Sequence, residues 1–276
     1  MRKVAFQGER GAYSELAVLQ FFPDCVSIPV RSFQEVMETL LSGKSDYAVV
    51  PIENSLEGSV NEIYDLLLQS NLNIIGETYL RIRHCLIANK GSDLRSLKEV
   101  YSHPQALAQC RHYLREQKLN SIPVYDTAGA VKLVKRCGRL NAAAIASERA
   151  AEIYTMDILD IGIEDRKNNF TRFYILSRDV ANSEPSGNDG TSIIFSVKHV
   201  PGSLVDILSE FAKRNINLTK IESRPTKETP WEYNFFTDFE GHVSDQQIRD
   251  LLNVIESKTV FVKILGSYKR ARTLTA

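Results

Sequence analysis

Apolar residues in the first half of the chain come in short runs separated by segments of helical period. Val4-Ala5-Phe6, Val26-Ser27-Ile28-Pro29-Val30 and Asp46-Tyr47-Ala48-Val49-Val50 are almost wholly apolar, as strands covered on both faces are. Between them, Ser14-Glu15-Leu16-Ala17-Val18-Leu19 has helical character and Ser32-Phe33-Gln34-Glu35 has the spacing of a capping box, so each strand is predicted to hand over to a helix. Ser59-Val60-Asn61-Glu62 repeats that spacing ahead of a helix carrying Ile63, Leu66, Leu67 and Leu68. Strands alternating with helices predict a parallel sheet with helices on both sides. From Leu72 to Ala88 two apolar stretches are broken by Arg81-Ile82-Arg83-His84, the pattern of a strand crossing from a first unit into a second. The alternation then resumes. Val100-Tyr101-Ser102 leads into the helix start His103-Pro104-Gln105-Ala106, Val124-Tyr125 into Asp126-Thr127-Ala128-Gly129, and Ala142 to Ala146 into Ser147-Glu148. Asp157 to Ile161 reads as a strand, Gly162 to Asn169 as a polar loop, and Phe170 to Leu176 as a final strand.

Residues 178 to 190 change the pattern, with Asn182-Ser183-Glu184-Pro185-Ser186-Gly187-Asn188-Asp189-Gly190 reading as a linker. Beyond it the elements shorten. Strands are predicted at Thr191 to His199, Ile216 to Arg224, Glu232 to Glu240 and Thr259 to Tyr268, and helices at Gly202 to Arg214 and Ser244 to Glu256. In the first helix Leu204, Ile207, Leu208 and Phe211 share one face. The order βαββαβ in fewer than ninety residues is the ferredoxin-like arrangement.

Composition narrows the class. A chain of 276 residues is long enough for about two domains and a well-buried core. Charge is balanced, 34 Lys plus Arg against 34 Asp plus Glu, and the basic residues are densest in the short Lys269-Arg270-Ala271-Arg272 cluster, so neither a nucleic-acid footprint nor a polybasic membrane anchor is expected. No apolar run approaches the roughly 20 residues of a membrane span, and Met1-Arg2-Lys3 runs directly into a strand. A cytoplasmic location follows as an expectation. Cys25, Cys85, Cys110 and Cys137 are widely spaced without a C-x-x-C pair, the usage of reduced thiols, and no disulfide framework or zinc site is signalled.

Candidate chemistry lies where strands give way to loops or helices. Gln7-Gly8-Glu9-Arg10-Gly11 between a strand and a helix offers free backbone N–H groups and the positive end of a helix dipole, suited to an anion or to a bare turn. It has neither the G-K-[ST] ending of a P-loop nor a G-x-G-x-x-G fingerprint. In an open α/β sheet, ligands gather at the carboxyl ends of strands, where Asn54 and Ser55 would lie. Ser102 and Gln105 are candidate ligand contacts because both hydrogen-bond without changing charge, while His103 reads as the cap of its helix as readily as a chemical group. Capping alone accounts for most of the Ser, Thr and Asp residues at helix starts. It does not account for Asn54-Ser55 or for Thr171-Arg172, where a hydroxyl and a guanidinium stand side by side. Adjacent residues of a regular strand point to opposite faces, so only a junction or a bulge aims both at one ligand.

Gly11-Ala12-Tyr13-Ser14, Pro51-Ile52-Glu53-Asn54-Ser55, Ser102-His103-Pro104-Gln105-Ala106-Leu107, Asp126-Thr127-Ala128-Gly129, Asn169-Phe170-Thr171-Arg172-Phe173, Gly202-Ser203-Leu204 and Glu222-Ser223-Arg224-Pro225 occur in that order. Together they make the chain resemble the bacterial and plant prephenate dehydratases along nearly its whole length. The resemblance implies an α/β catalytic domain over 1–181 of two lobes, similar to type II periplasmic binding proteins, with lobe one at 1–76 and 158–181 and lobe two at 77–157. A linker over 182–190 and a phenylalanine-binding ACT domain over 191–276 complete it. It implies conversion of prephenate to phenylpyruvate, water and carbon dioxide without cofactor or metal, and feedback inhibition by phenylalanine.

By the same resemblance Thr171 is the catalytic residue. Gly11, Ala12, Tyr13, Ser14, Asn54, Ser55, Ser102, Gln105, Thr127, Arg172 and Phe173 bind substrate, Arg172 holding the pyruvyl carboxylate or serving in a structural ion pair, and Phe173 lying under the ring or in the core. Gly202, Ser203, Leu204, Asn217, Leu218, Glu222, Ser223, Arg224 and Pro225 are implied to bind phenylalanine, and a homodimer or homotetramer is expected. An arogenate dehydratase fits the same motifs. A non-catalytic amino-acid sensor would not need the Thr171-Arg172 pair, and a fused chorismate mutase would need a helical segment ahead of the first catalytic strand.

Overall fold

In the computed structural model, residues 1–179, 184–226 and 232–271 are described. The elements in chain order are β1 Arg2–Gln7, α1 Tyr13–Phe21, β2 Cys25–Val30, α2 Phe33–Leu41, β3 Tyr47–Asn54, β4 Gly58–Ser59, α3 Asn61–Gln69 and β5 Asn73–Arg81. There follow β6 Cys85–Ala88, β7 Glu99–Ser102, α4 Pro104–Gln109, α5 Arg111–Glu116, β8 Asn120–Pro123, α6 Thr127–Cys137, β9 Ala142–Ala146, α7 Glu148–Tyr154, β10 Asp157–Ile161 and β11 Phe170–Ser177. The last six are β12 Asp189–Ser196, α8 Ser203–Lys213, β13 Leu218–Pro225, β14 Tyr233–Glu240, α9 Gln246–Lys258 and β15 Phe261–Lys269. Part of the expected linker, residues 182 and 183, lies outside the described residues. β12 begins at Asp189, two residues earlier than the alternation of polar and apolar positions predicts.

The chain divides into two compact units, one of Met1–Val60 and Thr78–Phe173, the other of Asn61–Glu77 and Tyr174–Thr273. The division runs through β5 and β11 and differs from a cut at the linker, because α3 goes with the second unit.

Two sheets organise the first unit. In the order β2-β1-β3-β11-β5, β1 pairs in parallel with both β2 and β3, Ala5 standing opposite Ile28 and Ala48, as their continuous apolar runs predict. Val4, Ala5, Phe6, Val49 and Val50 are fully buried. The second sheet, β10-β6-β9-β7-β8, departs from the all-parallel expectation. β7 pairs in parallel with β8 and β9, whereas β6 runs antiparallel to both β9 and β10. The reason is connectivity, since β6 enters directly from the crossing strand β5 with no intervening helix to turn it around. Leu86, Ala88, Val100, Ala143 and Ile145 meet the helix residues Ala106, Leu107, Cys110 and Leu114 to form the core there.

The second unit contains an antiparallel sheet, β13-β14-β12-β15, covered by α8 and α9 in the βαββαβ order. Ile193, Phe195, Phe239, Ile207, Phe211, Ile248, Leu251 and Ile255 form its core. Glu210, buried on α8, is met by Lys213, Arg214 and Lys258, and these cations hold its carboxyl far below the usual range. Tyr64 of α3 meets Phe236 edge-on at 4.7 Å, and Asp65 pairs with Arg224 at 3.3 Å. The ammonium of Lys263 donates to the carbonyls of Leu67, Leu68 and Ser70, the acceptors left open where α3 ends. β15 also approaches β5, because a Cβ on Gly266 would stand 2.2 Å from the Ile74 carbonyl oxygen.

Candidate active site

At the start of β11, the polar residues of the Asn168-to-Thr171 stretch close onto the end of β3. Ser55 N–H donates to the Phe170 carbonyl at 2.8 Å, Phe170 N–H donates to Ser55 Oγ at 3.0 Å, and Ser55 Oγ donates to the Asn168 carbonyl at 3.1 Å. Ser55 therefore fastens two loops from distant parts of the chain. Beside it, the buried Asn54 accepts from the backbone N–H groups of Leu56 and Glu57 at 3.0 and 3.1 Å through Oδ1. That fixes its other end as a donor. Asn54 Nδ2 donates to Asn169 Oδ1 at 2.7 Å and to Thr171 Oγ1 at 3.0 Å. Since Thr171 Oγ1 accepts from Asn54, its own proton is left to be directed elsewhere.

The series continues away from Thr171. Asn169 is completely buried, and with Oδ1 accepting, its Nδ2 donates to Gln109 Oε1 at 3.0 Å. Gln109 Oε1 also lies 2.9 Å from His84 Nε2, and Gln109 Nε2 is 3.4 Å from Glu57 Oε1. His84 Nδ1 meets the Tyr13 hydroxyl at 2.8 Å, and that hydroxyl is 2.8 Å from the Arg83 carbonyl as well. The backbone N–H of His84 donates to Glu164 Oε2 at 2.9 Å. Burial pulls the His84 imidazole below its ordinary value, against the opposing effects of Gln109 and the Glu164 carboxylate, so the ring is neutral near pH 7. Burial raises the Tyr13 hydroxyl well above its ordinary range.

The glycine loop after β1 is built differently from an open anion cradle. Gly11 N–H donates to Glu15 Oε2 at 2.6 Å, and Ser27 Oγ donates to Glu15 Oε1 at 2.7 Å, so a buried carboxylate of the chain itself occupies that donor. The Gly11 carbonyl accepts from Ser147 Oγ at 2.6 Å, where Ser147 also caps α7 by accepting from Ala150 N–H. Gly11 has φ +91 and presses against Ala150, leaving no room for a Cβ. Ala12 is buried beside it, and Tyr13 and Ser14 begin α1.

The remaining candidates fall into separate places. Ser102 is fully buried and donates to the Ile145 carbonyl at 2.6 Å, a bond between adjacent parts of the second sheet. His103 caps α4, its Nδ1 accepting from Gln105 N–H at 3.3 Å, and Thr127 opens α6 under the cap of Asp126. Phe173 is 1% exposed and belongs to the core. β11 already includes Phe170, so Thr171 and Arg172 leave the strand on opposite faces, and the Arg172 guanidinium lies 6.0 Å from the centre of the Tyr79 ring. A regular strand at these two positions does not by itself aim both side chains at one ligand. Gln109 and His84, which sequence reasoning passed over, stand in the polar series instead.

Among the residues expected to take phenylalanine, Ser203 and Leu204 line a cavity of 370 Å³ with Lys198, His199, Tyr233 and Phe235, next to Gly202 at the head of α8. Pro225 is paired with Tyr233 at that end of β14, while Leu218 pairs with Phe239 and Asn217 accepts from Glu240 N–H at the other end. Glu222, Ser223 and Arg224 lie between on β13, Arg224 reaching Asp65.

Comparison with known proteins adds the family. The profile described as prephenate dehydratase matches residues 4–181, and the one described as ACT domain matches 191–257. The chain is 44% identical over 275 residues to arogenate dehydratase/prephenate dehydratase 2, chloroplastic, of Arabidopsis thaliana, covering 96% of this chain and 72% of that protein. A solved structure of prephenate dehydratase in complex with L-Phe from Arthrobacter aurescens superposes with TM-score 0.91 at 32% identity, over 99% of this chain and 92% of that one. Another, described as GqqA, a novel type of quorum-quenching acylases, superposes with TM-score 0.93 at 35% identity, over 98% and 99%. An α/β catalytic portion followed by an ACT domain makes the class a carbon–oxygen lyase with an appended regulatory module. The chain belongs to the prephenate dehydratase family, as its seven ordered motifs led us to expect.

Proposed function

We infer that this chain converts prephenate to phenylpyruvate, water and carbon dioxide, that Thr171 is its catalytic residue, and that phenylalanine inhibits it through the ACT domain. In the reaction the bond between the ring and its carboxylate breaks, its electrons restore the aromatic ring, and the ring hydroxyl leaves. One proton must reach that oxygen to release water, and the gain of aromaticity drives both cleavages. The enzyme's part is to hold the dianion and to present a hydrogen bond where negative charge develops.

One observation carries the role of Thr171. Asn54 Nδ2 donates to Thr171 Oγ1 at 3.0 Å, which engages one lone pair of the threonine hydroxyl and leaves its proton available to donate. A threonine is too weak an acid to give up its proton unaided. Its contribution is a preoriented hydrogen bond to the departing oxygen, stronger in a desolvated site, with the proton made good from solvent. The groups around it are the amides of Asn54, Asn169 and Gln109, which are neutral donors and acceptors. Neutral donors suit a carboxylate that departs as neutral carbon dioxide, since a cation held against it would favour the ground state. Thr171→Val is expected to abolish phenylpyruvate formation with the fold intact, whereas Thr171→Ser keeps part of it; full turnover by the valine variant removes the assignment.

A second reading, arogenate dehydratase, has the support of the 44% identical Arabidopsis relative, whose name carries both activities. Arogenate differs by an amino group in place of the side-chain keto group. Comparing kcat/KM on the two substrates decides between them. Inhibition is supported by the ACT match and by the similarity to a structure holding L-Phe; calorimetric titration without phenylalanine binding would remove it. A cytoplasmic homodimer or homotetramer is the proposed assembly, for sedimentation analysis to check.

A further inference from the structure

The polar series that ends at Thr171 has a direction, set at the Asn54 end and matched at the His84 end by one tautomer only. At one end the backbone N–H groups of Leu56 and Glu57 can only donate, so Asn54 Oδ1 accepts and Asn54 Nδ2 points onward. Each amide then passes the same sense along. Asn169 accepts from Asn54 and donates to Gln109, whose Oε1 has to accept. At the far end, His84 Nε2 faces that same oxygen at 2.9 Å, and the contact is a hydrogen bond only when Nε2 carries the proton. Were the ring protonated on Nδ1 alone, Gln109 would have to turn its NH₂ group toward Nε2. That group would then oppose Asn169 Nδ2, and flipping Asn169 in response would oppose two donors at Asn54. One mismatched contact would remain somewhere between His84 and Thr171.

We propose that His84 is a positioning residue for the dehydration: its Nε2–H tautomer fixes Gln109 and Asn169, and through them keeps Asn54 donating to Thr171. The proposal rests on the reading of Thr171 as the hydrogen-bond donor to the leaving hydroxyl. Gln109 is the group that selects the tautomer, because its Oε1 accepts from Asn169 and faces Nε2, while Tyr13 meets the other ring nitrogen. The Tyr13 hydroxyl lies 2.8 Å from both His84 Nδ1 and the Arg83 carbonyl, so with a neutral ring its single proton serves Nδ1 or that carbonyl. If the ring gains a proton on Nδ1, the imidazolium donates to Tyr13, and Tyr13 donates to Arg83. The bond from Nε2 to Gln109 is the same in either state. The titratable groups acting on the ring are the Tyr13 hydroxyl from α1, at Nδ1, and Glu164, whose carboxylate accepts the backbone N–H of His84 itself; the neutral Gln109 amide meets Nε2 from the end of α4.

The test combines a structural readout with kinetics on the full chain. With ¹⁵N-labelled histidine, and the His84 signals assigned by their loss in His84→Gln, the wild-type ring is expected to show a protonated Nε2 and an unprotonated Nδ1 around neutral pH. A neutral ring protonated on Nδ1 overturns the proposal, whether or not any variant folds. In steady state, His84→Leu is expected to lower kcat roughly tenfold or more with KM changed less than about twofold, and His84→Gln, whose amide restores a donor toward Gln109, to recover part of the loss. Unchanged kcat in a folded His84→Leu also overturns it. The two failures are distinguishable. Thr171→Val retaining turnover removes the role of Thr171 and with it that of His84; an inactive Thr171→Val with the opposite tautomer removes the role of His84 alone.

Discussion

Gly11 lies so close to Ala150 that a methyl group added to it would stand 2.7 Å from the Ala150 Cα. The contact joins the loop after β1 to the start of α7, and the Ser147 hydroxyl donating to the Gly11 carbonyl closes it. Gly11→Ala introduces both that clash and a side chain at φ +91, where an L-residue alone costs roughly 1–2 kcal/mol. Urea denaturation is expected to show a loss larger than that backbone figure, with kcat/KM reduced as well, because the loop carries Tyr13.

Asn54→Asp replaces the donor facing Thr171 with an oxygen. The hydroxyl of Thr171 would then turn to donate to the new carboxylate. A fall in kcat of roughly 10²–10³ is expected, the magnitude associated with losing one preorganised donor. Leaving Asn169 Oδ1 opposite a carboxylate oxygen should also cost about 1–3 kcal/mol, read from the denaturation midpoint.

His84 gives stability a defined pH dependence. Burial holds its folded-state value below the ordinary 6.5, so on acidification the unfolded chain takes up the proton first. Its favourable contribution is therefore complete above about pH 6.5 and declines as the pH falls from there toward the folded-state value. Urea midpoints measured between about pH 7.5 and about pH 5.5 are expected to fall, and to fall less steeply in His84→Gln.

The four cysteines should separate by reactivity. Burial pushes the Cys85 thiol up to about 11 and raises Cys110 further, whereas Cys137 is exposed at the end of α6. Native protein treated with a thiol reagent at about pH 8 is expected to label Cys137 fast, with Cys85 and Cys110 reacting only on unfolding. Peptide mapping after a timed quench reads this directly.

Lys263→Ala removes the cation that closes the end of α3. The carbonyls of Leu67, Leu68 and Ser70 lose a charged donor, at an expected cost of roughly 1–3 kcal/mol. Thermal melting should show the loss, and Lys263→Arg, which keeps the charge, should show less of it.

How much the sequence revealed depended on the range of the signal. The apolar runs of β1 and β3 and the helical period of α8 are local patterns, and the structure forms those elements where the patterns stand. Ser32, Asp126 and Ser147 are found as helix caps for the same reason. Gln109 gave no such signal: at the end of a short helix it reads as one more polar residue, and its meaning comes from Asn169 and His84, at 60 and 25 positions' distance. His84 stands beside two arginines in the stretch that reads as a strand crossing between units, and nothing local marks it as a partner of Gln109. Ser102 illustrates another limit, since a serine at a strand end looks the same in sequence whether or not its hydroxyl donates, as it does here, to a neighbouring strand's carbonyl. The association of α3 with the second unit rests on Tyr64, Asp65 and the carbonyls over Lys263, which no periodicity could disclose.

The position of β11 has a consequence for the order in which the chain can assemble. It is the last strand of its sheet to be synthesised, yet it lies between β3 and β5. A chain emerging from the ribosome can therefore pair β1 with β2 and β3 early, but β5 has no neighbour in that sheet until nearly a hundred further residues have appeared. The second sheet is drawn from one continuous stretch, β6 to β10, and can close during that interval. Thr171 arrives with the strand that completes the first sheet, so its hydroxyl meets Asn54 in the same event that finishes the fold around it.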